Sequence, residues 1–248
     1  MIDETNPAGR LYRILGEAKS QPQNQKVRQV WAKALDCDEN DDAEISRRVV
    51  EVYSLSKEVK GLIELLPDLN HELYLKSYER IDKAIFPLNL NSSWQGQQQA
   101  LSDDLLARLQ FCAEELGRHY SEETLSDEDL AEVDSLISEL FTTISQGDIE
   151  IPLRMALLEE LEKIRRSLAI YRIKGGRGVK EALQSLLGAV VVNKDALSEA
   201  GEKNPAMLRK LGSLVEKLDA FTARALRLHK VLSGPIGKAL GFLTTGSL

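Results

Sequence analysis

Apolar positions recur along this chain at alternating spacings of three and four, the period of a helix with one buried stripe. Short helices are predicted near Leu11–Lys19 and through Val27, Val30, Trp31, Ala34 and Leu35, separated by the polar break Ser20-Gln21-Pro22-Gln23-Asn24. The acidic stretch Asp36 to Glu44 predicts a loop that feeds negative charge into the next helix N-terminus, where the macrodipole favours it. Ile45, Val49, Val52, Val59, Leu62 or Ile63, and Leu66 form a seam that Pro67 ends. Leu73, Leu75, Tyr78, Ile81 and Ile85 predict one shorter helix after it, so that residues 45–86 read as an antiparallel αα-hairpin.

Between Phe86 and Gln99 the periodicity fails. That segment reads as a domain boundary or as a loop packed through Leu88, Leu90 and Trp94. Helices resume at about 100–119 and 127–146, the second opened by Ser126 with Asp129 three residues on, a variant of the capping box. Gly147-Asp148 closes it, Pro152 suits the first turn of the next helix, and Leu157, Leu161, Ile164, Leu168 and Tyr171 carry its stripe as far as Gly175-Gly176. Another helix is predicted from about Val179, with Val190-Val191-Val192 as its buried end and a short strand as the competing reading. A polar link holding Gly201 and Pro205 leads to the strongest seam, Leu211, Leu214, Leu218, Phe221, Ala225, Leu228 and Leu232, closed by Gly234-Pro235.

The fold class expected is therefore all-α: an irregular multi-helix bundle with αα-hairpins and a long amphipathic C-terminal helix. No repeat of fixed period appears, which argues against solenoid arrays. The organisation expected is an acidic helical region over 1–90 and a helical bundle region over 100–248, the latter carrying a basic amphipathic segment at 203–248, with a single domain as the alternative. Composition agrees with helix, since only 5% of the 248 residues are aromatic and 29% are charged.

Charge adds what periodicity cannot. Residues 1–150 hold 15 Lys+Arg and 30 Asp+Glu, a balance of −15, whereas residues 151–248 hold 17 and 9, a balance of +8. Two parts of opposite sign can steer a charged partner or attract each other.

Chemistry is sparse by comparison. Cys37 and Cys112 stand far apart with no second ligand at metal spacing, and they predict free, partly buried thiols in a reducing, cytoplasmic setting. The N-terminal Met1-Ile2-Asp3-Glu4 lacks the pattern of a signal peptide, and no run approaches the ~20 apolar residues of a membrane span. His71, His119 and His229 fall on different predicted elements, and Glu115 with His119 reads as a surface i,i+4 contact. Without a metal motif, a nucleophile elbow, a Walker loop or a dinucleotide fingerprint, the expectation is a non-enzymatic protein with no cofactor.

Two features bear on binding. Lys174, Arg177 and Lys180 surround Gly175, Gly176 and Gly178 before a helix N-terminus, which is either an anion site or a helix C-cap followed by a connector. The C-terminal segment brings together Arg209, Lys210, Lys217, Arg224, Arg227, Lys230 and Lys238, followed by the apolar Leu240, Phe242 and Leu243. It could contact a protein partner or an anionic membrane surface, or bury its seam in the protein's own bundle. Nucleic acid is disfavoured, because the basic face lacks interleaved aromatics. The leading expectation is a helical regulator or adaptor that binds another protein. The alternative is a membrane-surface effector whose basic tail is held in check by the acidic front, and pairing between copies is a third route for the same seams.

Overall fold

A computed structural model describes residues 5–119, 122 and 126–225, with side chains to residue 222. Helix is the only regular structure among the described residues. The chain divides into two units, 1–121 with 172–174, and 122–171 with 175–248.

In the first unit, α1 (Pro7–Ser20) packs on α2 (Val27–Leu35), α3 (Asp42–Glu64) and α7 (Asp103–His119). Asn6 explains how α1 begins: its side-chain oxygen accepts from the Gly9 amide at 3.0 Å, while its Nδ2 donates to the Ala113 carbonyl of α7 at 2.9 Å. One buried cap thus starts a helix and ties it to its neighbour. Asp41 caps α3 through the Glu44 amide, as the acidic stretch predicts. Glu44 then accepts from both Arg47 and Arg48. Burial pushes its carboxyl upward, but these two guanidinium hydrogen bonds outweigh it and hold the group below its ordinary range.

The shorter helix predicted over Leu73–Ile85 is two pieces, α4 (His71–Leu75) and α5 (Arg80–Ile85). Lys76 leaves the helical region and Ser77 takes a positive φ of 63°, which breaks the ladder although the apolar spacing continues. The irregular stretch after Phe86 contains one further turn, α6 (Gln95–Gln98), and is packed. The Trp94 amide donates to Gln25 O at 2.9 Å, and Gln98 Nε2 donates to the carbonyls of Lys19 and Gln21. These bonds satisfy one carbonyl within the Ser20–Asn24 break and one on either side of it.

The second unit is built on four helices: α8 (Asp127–Gln146), α9 (Ile151–Ala169), α11 (Gly176–Val192) and α13 (Pro205–Ala225). Each packs on two others in the ring order α8, α9, α11, α13, the arrangement of a four-helix bundle. The predicted capping box opens α8, with Ser126 Oγ accepting from the Asp129 amide at 3.1 Å and the Asp129 carboxylate accepting from the Ser126 amide at 3.3 Å. Short α10 (Tyr171–Lys174) follows α9, and α12 (Lys194–Lys203) occupies most of the predicted polar link. Leu211, Leu214, Leu218 and Phe221 of the C-terminal seam lie in the core with Leu140, Leu161 and Leu186. Ala225 ends the described part of α13, so Leu228, Leu232 and the Gly234-Pro235 stop lie outside the described residues.

Gly201 is a close-approach residue inside α12. A Cβ there would stand 2.6 Å from Leu208 Cγ, and closer still to a Leu208 methyl. Gly188, exposed in α11, has nothing within 4 Å of the same position. Gly201→Ala is therefore expected to destabilise by about 1–3 kcal/mol through overpacking, whereas Gly188→Ala should stabilise by about 0.5–1 kcal/mol through lower chain entropy. Urea denaturation of the two variants checks the opposite signs.

Candidate functional site

Backbone conformation defines the glycine-rich candidate. Gly175 has φ 65° and ψ −159°, a region almost confined to glycine, and α11 starts at the next residue. Helix N-termini offer unpaired amides to an anion. Here the amide of Gly176 donates to the carboxylate of Glu122 at 2.8 Å, and Glu122 is 3% exposed. A buried side chain of the second unit thus supplies the acceptor at this terminus.

The three cations predicted around it fall in different places. Lys174 belongs to the first unit and places Nζ 3.0 Å from Glu51. Arg177 and Lys180 stand on the first turns of α11 in the second unit, the former exposed and the latter half-buried.

The basic C-terminal candidate meets acid on α8. That helix carries six carboxylates, Asp127, Glu128, Asp129, Glu132, Asp134 and Glu139, and neither lysine nor arginine. Lys210 of α13 lies 3.1 Å from Glu139, and Lys217 pairs with Glu132. These two contacts set α13 antiparallel to α8. Arg209 is exposed. The side chain of Arg224 and the whole of Arg227, Lys230, Lys238, Leu240, Phe242 and Leu243 lie outside the described residues.

Among the described residues, both histidines have intramolecular partners, Cys112 and Tyr78 are buried and Cys37 is half-buried. His71 Nε2 is 2.8 Å from the Leu66 carbonyl, and His119 makes the predicted contact with Glu115 at 3.4 Å. Burial pushes the Cys112 thiol up to about 12, and it raises that of Cys37 as well, so both are poor thiolates at neutral pH. Tyr78 is raised well above the usual phenol range by burial, and its hydroxyl donates to Ser56 O at 2.7 Å. An open groove of about 340 Å³ runs beside it in the first unit, lined in part by Lys57, Lys60 and His71. Lys57 is bonded to both Asp82 oxygens at 2.9 Å, and those bonds raise its pKa. Among the described residues no three His, Cys, Asp or Glu side chains are grouped to hold a metal ion, and no helix is long and apolar enough to cross a membrane.

What sequence reasoning missed is a set of exposed apolar side chains on two neighbouring helices of the second unit. The short connection between α9 and α11 makes them antiparallel neighbours, which brings the start of α9 beside the end of α11. Ile151 and Met155 on α9 are 68% and 66% exposed; Val191 and Val192 on α11 are 57% and 83% exposed. Of the predicted buried run, only Val190 is in the core. The signal available was position: Val191 and Val192 step off the stripe Val179, Leu183, Leu186, Leu187, Val190, and Ile151 and Met155 step off Leu157, Leu161, Ile164. Exposed Asp148, Glu150, Lys194 and Asp195 neighbour them in sequence.

No family model matches the chain, and comparison with characterised proteins and with solved structures gave no match.

Proposed function

We propose that this protein is a non-enzymatic helical interaction module, a regulator or adaptor in the cytoplasm that binds another protein. One observation carries the reading: Ile151 and Met155 at the start of α9, and Val191 and Val192 at the end of α11, which packs on it, expose apolar side chains on a bundle whose described stripes are otherwise buried. Apolar surface left in water costs about 25 cal/mol per Å², and a compact apolar centre with a charged rim is the anatomy of a protein interface. The nearby charges Asp148, Glu150, Lys194 and Asp195 would set orientation and partner choice. The partner is expected to present an apolar patch of its own.

Four serines at these positions, Ile151→Ser, Met155→Ser, Val191→Ser and Val192→Ser, test the reading in the full chain. Recovery of bound partners is expected to fall by at least about tenfold, while the melting temperature moves by no more than a few degrees, because the side chains already face solvent. Equal recovery by both proteins would overturn the proposal. So would turnover of a substrate that a single pocket substitution abolishes. Light scattering on the same pair separates a foreign partner from a second copy of the chain.

A further inference from the structure

Residues 172–174 lie between α9 and α11 in sequence yet belong to the first unit, where residues 10–51 hold them. Their main chain is read by α1. Arg13 donates to the Arg172 carbonyl at 3.2 Å, and Arg10 donates to those of Ile173 at 3.1 Å and Lys174 at 3.3 Å. Arg10 itself is 6% exposed, so its guanidinium is a fixed part of the unit. Cations at the carbonyl end of a helical turn both satisfy its orphan acceptors and complement its dipole.

The side chains are read as well. Arg172 places Nη1 2.9 Å from Asp36, Lys174 places Nζ 3.0 Å from Glu51, and Ile173 between them is 3% exposed. Asp36 holds its position with a left-handed φ of 53° at the end of α2. A cavity of about 150 Å³ remains beside the tripeptide, lined in part by Arg13, Lys33 and Ile173. Three carbonyls and two charges are thus matched by groups more than a hundred residues away in the chain, and the aliphatic side chain between those charges is buried. That is the arrangement of a receptor and its ligand, with the ligand supplied in cis.

We propose that the first unit carries a recognition site for a helical turn of pattern basic–aliphatic–basic, that Arg172-Ile173-Lys174 is its resident occupant, and that a partner peptide of the same pattern competes for it. This site is separate from the exposed apolar side chains of the second unit, and the two stand or fall on different residues. Because the resident segment is tethered, it acts at a high effective concentration and excludes weak competitors. The site opens to a partner when the resident charges are weakened.

The test uses the full chain and a fluorescently labelled peptide, acetyl-Tyr-Arg-Ile-Lys-Gly-amide. Arg172→Gln with Lys174→Gln removes both charges and keeps Ile173 in place. Peptide affinity measured by anisotropy is expected to rise about tenfold over the unsubstituted protein, the scale of two partly exposed ion pairs. Adding Asp36→Asn and Glu51→Gln should cancel that gain, and a peptide with Asp and Glu in place of its cations should not bind. Equal affinity of the first two proteins, a gain that survives loss of Asp36 and Glu51, or no binding to any of them at millimolar peptide overturns the proposal. A second measurement needs no change in the segment: amide hydrogen exchange across residues 171–176 should quicken by about tenfold in Asp36→Asn/Glu51→Gln, and unchanged exchange would overturn it too.

Discussion

Trp31→Ala is expected to remove about 3–5 kcal/mol of stability, a third or more of what a domain of this size commonly has. Trp31 and Trp94 are fully buried, with ring centroids 5.6 Å apart at 79°, so truncation opens a cavity and discards an edge-to-face contact of about 0.5–1.5 kcal/mol. Neither indole N–H has a hydrogen-bond partner in the first unit. Trp31→Phe, which keeps a ring and deletes that donor, should therefore cost far less than alanine. The chain contains just these two tryptophans. In Trp31→Ala, emission comes from Trp94 alone, in the segment after Phe86, and urea denaturation followed by that emission and by circular dichroism measures the loss. A loss under about 1 kcal/mol would show that the unit collapses around the missing ring, against the close packing of protein interiors.

The helices were legible wherever one stripe serves one core. The predicted seam from Ile45 became α3 as far as Glu64, one turn short of Pro67 and without Leu66, and the Ser126–Asp129 capping box formed as expected. Legibility failed where backbone conformation acts without changing the apolar spacing. Ser77 splits α4 from α5 while Tyr78 and Ile81 stay buried, so nothing in the hydrophobic pattern marks the break. Gly201 looks like a breaker, yet its missing side chain makes room for Leu208 inside a helix.

Charge was legible as a sum but not as an address. The acidic α8 falls within the first 150 residues, yet it packs against basic α13 in the second unit, because folding pairs elements by face and not by order along the chain. The tripeptide Arg172-Ile173-Lys174 was hidden for the same reason. In sequence it continues a helical stripe, and its five described polar contacts are made by residues whose spacing from it carries no local signature.

The C-terminal seam offered three fates in the sequence, and Phe221 distinguishes them most sharply. It is 2% exposed in the core of the second unit and meets Tyr171 edge-on, with centroids 5.8 Å apart at 65°. Phe221→Ala is expected to cost about 3–5 kcal/mol, read as a lower urea midpoint with little change in slope. Arg209→Ser on the exposed side of the same helix should stay within about 0.5 kcal/mol of the parent protein. A seam reserved for a membrane or a partner would give the reverse: little loss of stability from Phe221→Ala, and loss of binding instead. The contrast between two positions twelve residues apart on α13 therefore measures how far that helix is committed to its own bundle. Whatever partner the basic side meets must compete with Glu132 and Glu139 for Lys217 and Lys210, since both lysines are already paired on α8.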